Sequence, residues 1–414
     1  MLLQFNVTNF LSFKEEAVLS AYANTDKTYA NRLINIGKNA ILPTIAIYGA
    51  NAAGKSNLIK ALTAAILFVR QSNFYQINTT NPIVPFLFDE SSRNEKTRFD
   101  FSFIYDGIQY DYGFSATNQT VFDEYLYEYK SKKPSMIFER TNTNEYKYTA
   151  ANKKELSQYE EKTSANKLFL ATATAWNCEL TRNAFMWFAE NIDTYDSRSL
   201  DNSFISEFEN DNSDDMKKFM MDFIHHADIN ISDYSFEIKE ADKESLPPFI
   251  DVNNVVNSSV KQWKLDVVHD VNIDGKTVSF AMPFNAESTG TIKVFSYGPL
   301  IRKALKTGKT MIVDEIDSCL HPMLVRYLID LFNDPEINKN GAQLIFNTHD
   351  VSLLDQDIFR RDQIYFVEKD NKTAMSDLYS LAEFSPRKSE DIRKGYLQGR
   401  YGAIPAILPG GFEW

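Results

Sequence analysis

A glycine-rich loop near the start of the chain constrains the fold more than any other feature of the sequence. Residues 49–56 read Gly-Ala-Asn-Ala-Ala-Gly-Lys-Ser, which matches the pattern G-x-x-x-x-G-K-[ST]. A largely apolar run, 42–48, comes directly before the loop, and apolar residues at helical spacing follow over 54–70. The order strand, glycine-rich loop, helix is the context in which this pattern binds phosphate, and it predicts a parallel α/β sheet.

The residue types of the loop predict nucleotide binding. Glycines let the backbone wrap closely around phosphate, so that amide N–H groups and the helix N-terminus face the negative charge. Lys55 would reach the β and γ phosphates of ATP, and the hydroxyl of Ser56 would ligate Mg²⁺. The candidate nucleotide-binding residues of the loop are Gly49, Asn51, Ala52, Ala53, Gly54, Lys55, Ser56 and Asn57.

The α/β rhythm returns in the last third of the chain. The patterns predict a helix over 289–305, a strand over 309–315, a helix over 322–332, a strand over 343–348, a helix over 352–360 and a strand over 363–368. Asp314 and Glu315 end the first of these strands, and His349 follows the second. Because open α/β sheets build their sites at the carboxyl ends of the strands, all three side chains are expected beside the phosphate loop. Asp314 would hold Mg²⁺, Glu315 would deprotonate the attacking water, and His349 would sense the γ-phosphate.

A long insertion separates these two α/β segments. Period-two alternation on either side of Asp106-Gly107, and again around Asp274-Gly275, predicts two β-hairpins with type I′ turns. The expected organisation is therefore 1–70 as the N-terminal part of a nucleotide domain, 71–284 as an inserted lobe and 285–414 as the C-terminal part.

Composition excludes several other classes. The chain has 44 Lys and Arg against 56 Asp and Glu, a net charge of −12, which argues against a body coated for nucleic acid. Its 2 cysteines offer no disulfide framework. We find no secretory-signal pattern and no apolar stretch approaching the roughly 20 residues needed to span a bilayer. A cytoplasmic location without a membrane partner is the expectation.

The segment Glu287-Ser-Thr-Gly-Thr291 resembles the signature motif of ABC-type ATPases, in which the serine is a plausible helix N-cap. Together with 9–14, the phosphate loop, 314–322, 347–350 and 395–405, it makes the chain similar to stand-alone prokaryotic ABC-type, SMC-like ATPases. Within these it looks like the abortive-infection (AbiL-like) and overcoming-lysogenization-defect (OLD)-like group. The resemblance implies an ABC-type P-loop head with an N-terminal antiparallel β subdomain and a mixed α/β insertion.

The resemblance also implies how the protein works. Two copies would form a homodimer that sandwiches two ATP molecules, with Ser288 and Gly290 of one copy facing the nucleotide of the other and Asp317 in the loop that crosses the dimer. Lys55, Glu315 and His349 would be catalytic. The ATPase would then control a separate effector, a nuclease or toxin, in defence against phage. The alternative is an ATP-dependent nucleic-acid clamp, with the Lys-rich stretch 130–167 or the basic and aromatic segment 387–401 contacting phosphates.

Overall fold

The computed structural model describes residues 1–196, 200–240 and 261–405. The strands are β1 Leu2–Thr8, β2 Ala17–Ser20, β3 Ile34–Ile36, β4 Asn39–Ile41, β5 Thr44–Tyr48, β6 Thr97–Tyr105, β7 Ile108–Ala116, β8 Val121–Tyr129, β9 Ser135–Thr141, β10 Glu145–Tyr148, β11 Ile192–Tyr195, β12 Asp233–Glu240, β13 Lys261–Ile273, β14 Lys276–Pro283, β15 Thr310–Val313, β16 Gln343–Asn347, β17 Ile364–Lys369 and β18 Ser376–Ser380. The helices are α1 Lys55–Gln71, α2 Lys153–Leu156, α3 Phe169–Ala175, α4 Glu179–Glu190, α5 Leu200–Asn210, α6 Asp214–His226, α7 Thr289–Thr307, α8 Pro322–Asn333 and α9 Ile392–Leu397.

These elements fall into two compact units. Within the described residues, the first unit comprises 1–196, 304–317 and 328–405, and the second comprises 200–240, 261–303 and 318–327. Residues 71–196, which the sequence analysis assigned to an inserted lobe, therefore lie in the same unit as the phosphate loop. Part of that lobe, 241–260, lies outside the described residues. No helix in the described ranges is long and apolar enough to cross a membrane.

A six-stranded sheet organises the first unit. Its strand order is β11-β15-β16-β5-β17-β18, and every neighbouring pair is parallel except β17 with β18. Every residue of β5, β15 and β16 is buried, which is why these strands read as continuous apolar runs rather than alternating ones. The predicted α/β class is confirmed. The carboxyl ends of these three adjacent strands lie at one edge of the sheet.

An antiparallel sheet of order β10-β9-β8-β7-β6-β1-β2 forms the other layer of the first unit. Phe99, Phe101 and Phe103 alternate along β6 and are buried, and Phe103 stacks on Trp187 of α4 with ring centroids 4.1 Å apart. The hairpin expected at residues 106–107 is present, with positive φ at both turn residues.

The second unit combines α5, α6 and most of α7 with a three-stranded sheet of order β12-β13-β14. Aromatic and aliphatic side chains of the helices pack on this sheet, as where Phe208 meets Phe236 with centroids 5.0 Å apart. The second predicted hairpin is confirmed, since Asp274 and Gly275 have φ of 52° and 78° and join β13 to β14.

One predicted element is wrong. In place of a helix over 352–360, the chain makes a single 3-10 turn, Val351–Leu353, and then leaves helical geometry. The reason lies at Arg360, whose backbone is extended and whose buried guanidinium donates to Asp362 and to the carbonyl oxygen of Asp26. A helix through this residue would forfeit those buried hydrogen bonds, so tertiary contacts override the local pattern.

Candidate functional site

The phosphate loop joins β5 to α1 and depends on its two flanking glycines. Gly49 and Gly54 have φ of 154° and 116°, the region that favours glycine. Packing also excludes a side chain, because a Cβ would lie 2.3 Å from the carbonyl oxygen of Val367 at position 49 and 2.4 Å from Ser376 Oγ at position 54. Both glycines are therefore required by conformation and by close approach.

Three side chains brace the loop from behind. Ser376 Oγ lies 2.6 Å from the carbonyl oxygen of Ala53 and 2.8 Å from Ser12 Oγ. Asn57 donates its amide to Ser12 Oγ at 2.8 Å, so this predicted nucleotide-binding residue turns its side chain toward the brace. Sequence reasoning missed Ser376, which carries no motif and comes from β18, far along the chain.

Lys55 lies inside the loop with its side chain 5% exposed. Its ammonium donates to the carbonyl oxygens of Gly49 at 2.8 Å and Ala50 at 3.1 Å, and lies 3.3 Å from His349 Nδ1. Burial lowers the pKa of Lys55 to about 8, although nearby carboxylates oppose that shift. The amine is thus held where its charge is costly, a condition that a bound anion would relieve.

The carboxylates that face Lys55 are Asp317, Glu315 and Asp314. They follow β15, which β16 separates from the loop-bearing β5. Asn347, the last residue of β16, bonds to both of the strand-end acids, since its amide donates to Asp314 Oδ1 and its Oδ1 accepts from the backbone N–H of Glu315 at 2.5 Å. The sequence signal for Asn347 was a polar residue at the end of an apolar strand.

Glu315 adopts a left-handed backbone with φ of 55°. This conformation is uncommon for residues other than glycine and concentrates at functional positions. The hydrogen bond from its N–H to Asn347 supports it, and the neighbouring N–H of Ile316 donates to the Asn347 carbonyl at 3.3 Å. The strand end is therefore held in a defined, strained geometry.

His349 joins the same cluster. Its backbone N–H donates to Asp317 Oδ2 at 3.2 Å. Burial and the adjacent Lys55 lower the pKa of His349, which keeps the imidazole neutral near pH 7 and able to donate one hydrogen bond and accept another. The predicted acids, lysine and histidine are thus brought together at one sheet edge.

Two features of the loop fit an anionic ligand. Among the described residues, no side chain caps the first turn of α1, so its free amide groups remain available to an anion. A cavity of about 1010 Å³ opens beside the loop, between residues 49–53, His349 and the C-terminal segment that includes Tyr396 and Ile404. Ser56 is the second residue of α1, directly after Lys55.

Ser288 and Gly290, the signature candidates, belong to the second unit. Ser288 Oγ accepts from the backbone N–H of Thr291 at 3.1 Å, which is the N-cap contact that the sequence predicted at the start of α7. Ser288 is exposed, and a Cβ on Gly290 would lie 3.1 Å from the Cys319 carbonyl oxygen. In the preceding residue, Glu287, the Oε1 atom lies 2.5 Å from His269 Nε2.

Comparison with protein families assigns the chain. Residues 45–355 match the family model AAA_21, an AAA domain described as "putative AbiEii toxin, Type IV TA system". The chain belongs to this family. The match spans more than half of this AAA_21 chain and includes the phosphate loop, the signature candidates, the strand-end acids and His349. The chain is therefore of the P-loop ATPase class.

Solved structures resemble this AAA_21 protein only at low sequence identity and low TM-score. The SMC head domain from Thermotoga maritima is 13% identical, with 92% of this chain and 98% of that chain covered and a TM-score of 0.42. An Smc head domain with an extended coiled coil, derived from Pyrococcus furiosus, is 13% identical, with 93% and 97% covered and a TM-score of 0.42. CbiO1 from Clostridium perfringens, part of the ABC transporter complex cbiONQ, is 13% identical, with 97% and 98% covered and a TM-score of 0.32. No curated protein matches this chain.

Proposed function

We propose that the protein binds ATP with Mg²⁺ at the phosphate loop and hydrolyses it. The observation that carries the proposal is the buried Lys55 ammonium inside a glycine loop, 3.3 Å from His349 Nδ1 and facing three carboxylates. This donor set fits the nucleotide and its metal, because Mg²⁺ prefers one or two carboxylates together with phosphate oxygens. Ser56 and Asp314 would hold the metal, which neutralises phosphate charge when it is bound.

The chain's own residues would then divide the work of hydrolysis. The uncapped amides of α1 and Lys55 would bind the phosphates. Glu315, whose backbone is held by the hydrogen bond to Asn347, would accept the proton of the attacking water. Neutral His349 would donate a hydrogen bond to the terminal phosphate and so distinguish ATP from ADP.

A homodimer would complete the site. Ser288 is exposed at the N-terminus of α7, where its hydroxyl and the following amides could face the nucleotide of a second copy. Gly290 keeps that approach free of a side chain, and Asp317 would lie in the crossing loop between the two sites. ATP would close the dimer and hydrolysis would reopen it.

We further propose that this motion controls a separate effector, a nuclease or toxin, in defence against phage. The support is the family description, which names a toxin and a toxin–antitoxin system, together with the narrower resemblance of the signature and C-terminal segments to AbiL-like and OLD-like ATPases. Cells that carry the gene with its genomic neighbours should resist phage, and Lys55→Ala should abolish that resistance.

The nucleic-acid clamp receives less support. Tyr396 and Tyr401, the aromatic residues proposed for base stacking, are buried, and both stack on Phe366 with centroids 5.3 Å and 6.0 Å away. Arg400 pairs with Glu390. The segment thus uses its aromatic rings for packing rather than presenting them to bases.

Glu315→Gln is the decisive variant. A missing general base costs roughly 100- to 10,000-fold in rate, so phosphate release should fall by about that factor while a non-cleavable ATP analogue still binds and the dimer persists. Lys55→Ala should abolish binding itself. Glu336→Gln, in the exposed turn after α8, is the matched control and should hydrolyse ATP normally. Undiminished turnover in Glu315→Gln would contradict the assignment.

A further inference from the structure

The hairpin of the second unit carries an apolar stripe along one face. The odd-numbered residues of β13 from 263 to 273 share this face with Met282, Phe280 and Val278, which pair directly with Val267, His269 and Val271. The inner part of the stripe, at Leu265 and Val267, is buried under the helices of the second unit. The stripe continues beyond this covered part.

The outer part of the stripe is exposed. The side chains of Val271, Ile273, Val278 and Phe280 have exposed fractions of 43%, 46%, 38% and 49%, and we call these four residues the hairpin patch. The opposite face of the same strands is polar, with Asp270, Asn272, Thr277 and Ser279. Alternation of this kind marks strands of which one face is covered and one is solvated, and contiguous exposed apolar residues mark interaction sites.

The hairpin patch adjoins the signature segment through a specific contact. His269 pairs with Phe280 on the patch face, and its Nε2 lies 2.5 Å from Glu287 Oε1. The Glu287 side chain is only 10% exposed, so this contact holds the residue that directly precedes Ser288. His269 therefore links the patch face to the residue that directly precedes Ser288.

We infer that the hairpin patch packs on a second copy of this chain when the nucleotide-bound dimer forms. The inference rests on the proposed function, in which Ser288 faces the nucleotide of the second copy. The patch lies next to that interface, because His269 stands beside Phe280 on the patch face and contacts Glu287, the residue before Ser288. Burial of the patch would stabilise the dimer, and the His269–Glu287 contact would couple dimer closure to the position of Ser288.

Two single substitutions on adjacent residues of β14 test this surface. Val278→Asp places a charge on the patch face, whereas Thr277→Asp places the same charge one residue away on the polar face. Both positions are exposed, so both variants should fold. With Mg²⁺ and a non-cleavable ATP analogue, sedimentation should show the dimer dissociation constant raised about tenfold or more by Val278→Asp, as expected for the loss of one buried aliphatic side chain. Thr277→Asp should leave it within about twofold.

The outcomes separate this surface from the proposed function. Val278→Asp that dimerises as tightly as the natural chain, or no worse than Thr277→Asp, overturns the inference and leaves the function standing. A natural chain that stays monomeric with the analogue overturns both. Analogue binding by the monomer, followed by fluorescence, should be unchanged in either variant. If Val278→Asp fails to fold, Val278→Ser replaces it and should weaken the dimer several-fold. The inference is also overturned if the patch binds a different protein while the dimer dissociation constant is unchanged.

Discussion

Nucleotide affinity should fall as the pH rises above about 8, because the amine of Lys55 has to be charged to bind phosphate. In the free protein, burial lowers the pKa of Lys55 to about 8, against an ordinary value of 10.5. Phosphate oxygens in place of the carbonyl oxygens of Gly49 and Ala50 would favour the charged form and return the pKa to its ordinary range or above. Binding above about pH 8 must therefore take up a proton.

The size of the effect follows from this shift. A group whose pKa is raised on binding contributes fully below its free pKa, and the contribution falls as the pH rises from the free pKa to the bound pKa. With a free pKa of about 8, the charged fraction of Lys55 falls from about nine-tenths at pH 7 to about one-tenth at pH 9, so affinity should fall about tenfold.

Titration calorimetry of a non-cleavable ATP analogue with Mg²⁺ measures both quantities. Affinity is followed from pH 7 to pH 9, and repetition in buffers of different ionisation enthalpy gives the protons taken up, which should approach one near pH 9. Lys55→Met should bind weakly and without this pH dependence. Lys60→Met, on an exposed position of the same helix, should keep it. Equal affinity at both pH values, with no proton uptake, would refute the reasoning.

Two further predictions concern residues that support the site and the core. Asn347→Ala removes the amide that orients both strand-end acids, so kcat should fall about 10- to 100-fold in a phosphate-release assay while the analogue still binds. Arg140→Met strips the cation from the fully buried Glu124 and should cost about 3–5 kcal/mol in denaturant unfolding, whereas Arg98→Met, in an exposed pair, should cost less than about 1 kcal/mol. Since burial already raises the pKa of Glu124, the loss in Arg140→Met should shrink as the pH falls, because a protonated carboxyl needs no cation.

The parts of the site that could be predicted are those written in consecutive residues. The loop 49–56 and its flanking residues specify a strand, a turn and a helix within a short stretch of sequence. Asp314 and Glu315 directly follow an apolar run that we interpret as a buried strand. The turn residues at 106–107 likewise specify their hairpin locally. In each case the residues that determine the local structure are neighbours in the sequence, so the sequence pattern was sufficient to predict the element.

The parts that could not be predicted depend on contacts between distant segments. Ser12 and Ser376 meet behind the loop although 364 positions separate them in the chain. Arg360 donates to the backbone carbonyl oxygens of Asp26 and Thr28, which are more than 300 residues earlier in the chain. These long-range hydrogen bonds are made in place of the helix that the sequence predicted over 352–360. The exposed half of the β13–β14 stripe shows the same limit, because alternation predicts an apolar face but not what covers it.

The charge balance of the site links its pH dependence to its need for metal. Three carboxylates, Asp314, Glu315 and Asp317, face a single buried ammonium, and His349 is held neutral. A triphosphate bound here would add several negative charges. The single positive charge of Lys55 could not balance them alone. A divalent cation held by the proposed ligands Ser56 and Asp314 would supply the missing charge, and the phosphates would in return favour the charged form of the lysine. Nucleotide, metal and proton are therefore expected to bind as one coupled set, each favouring the other two.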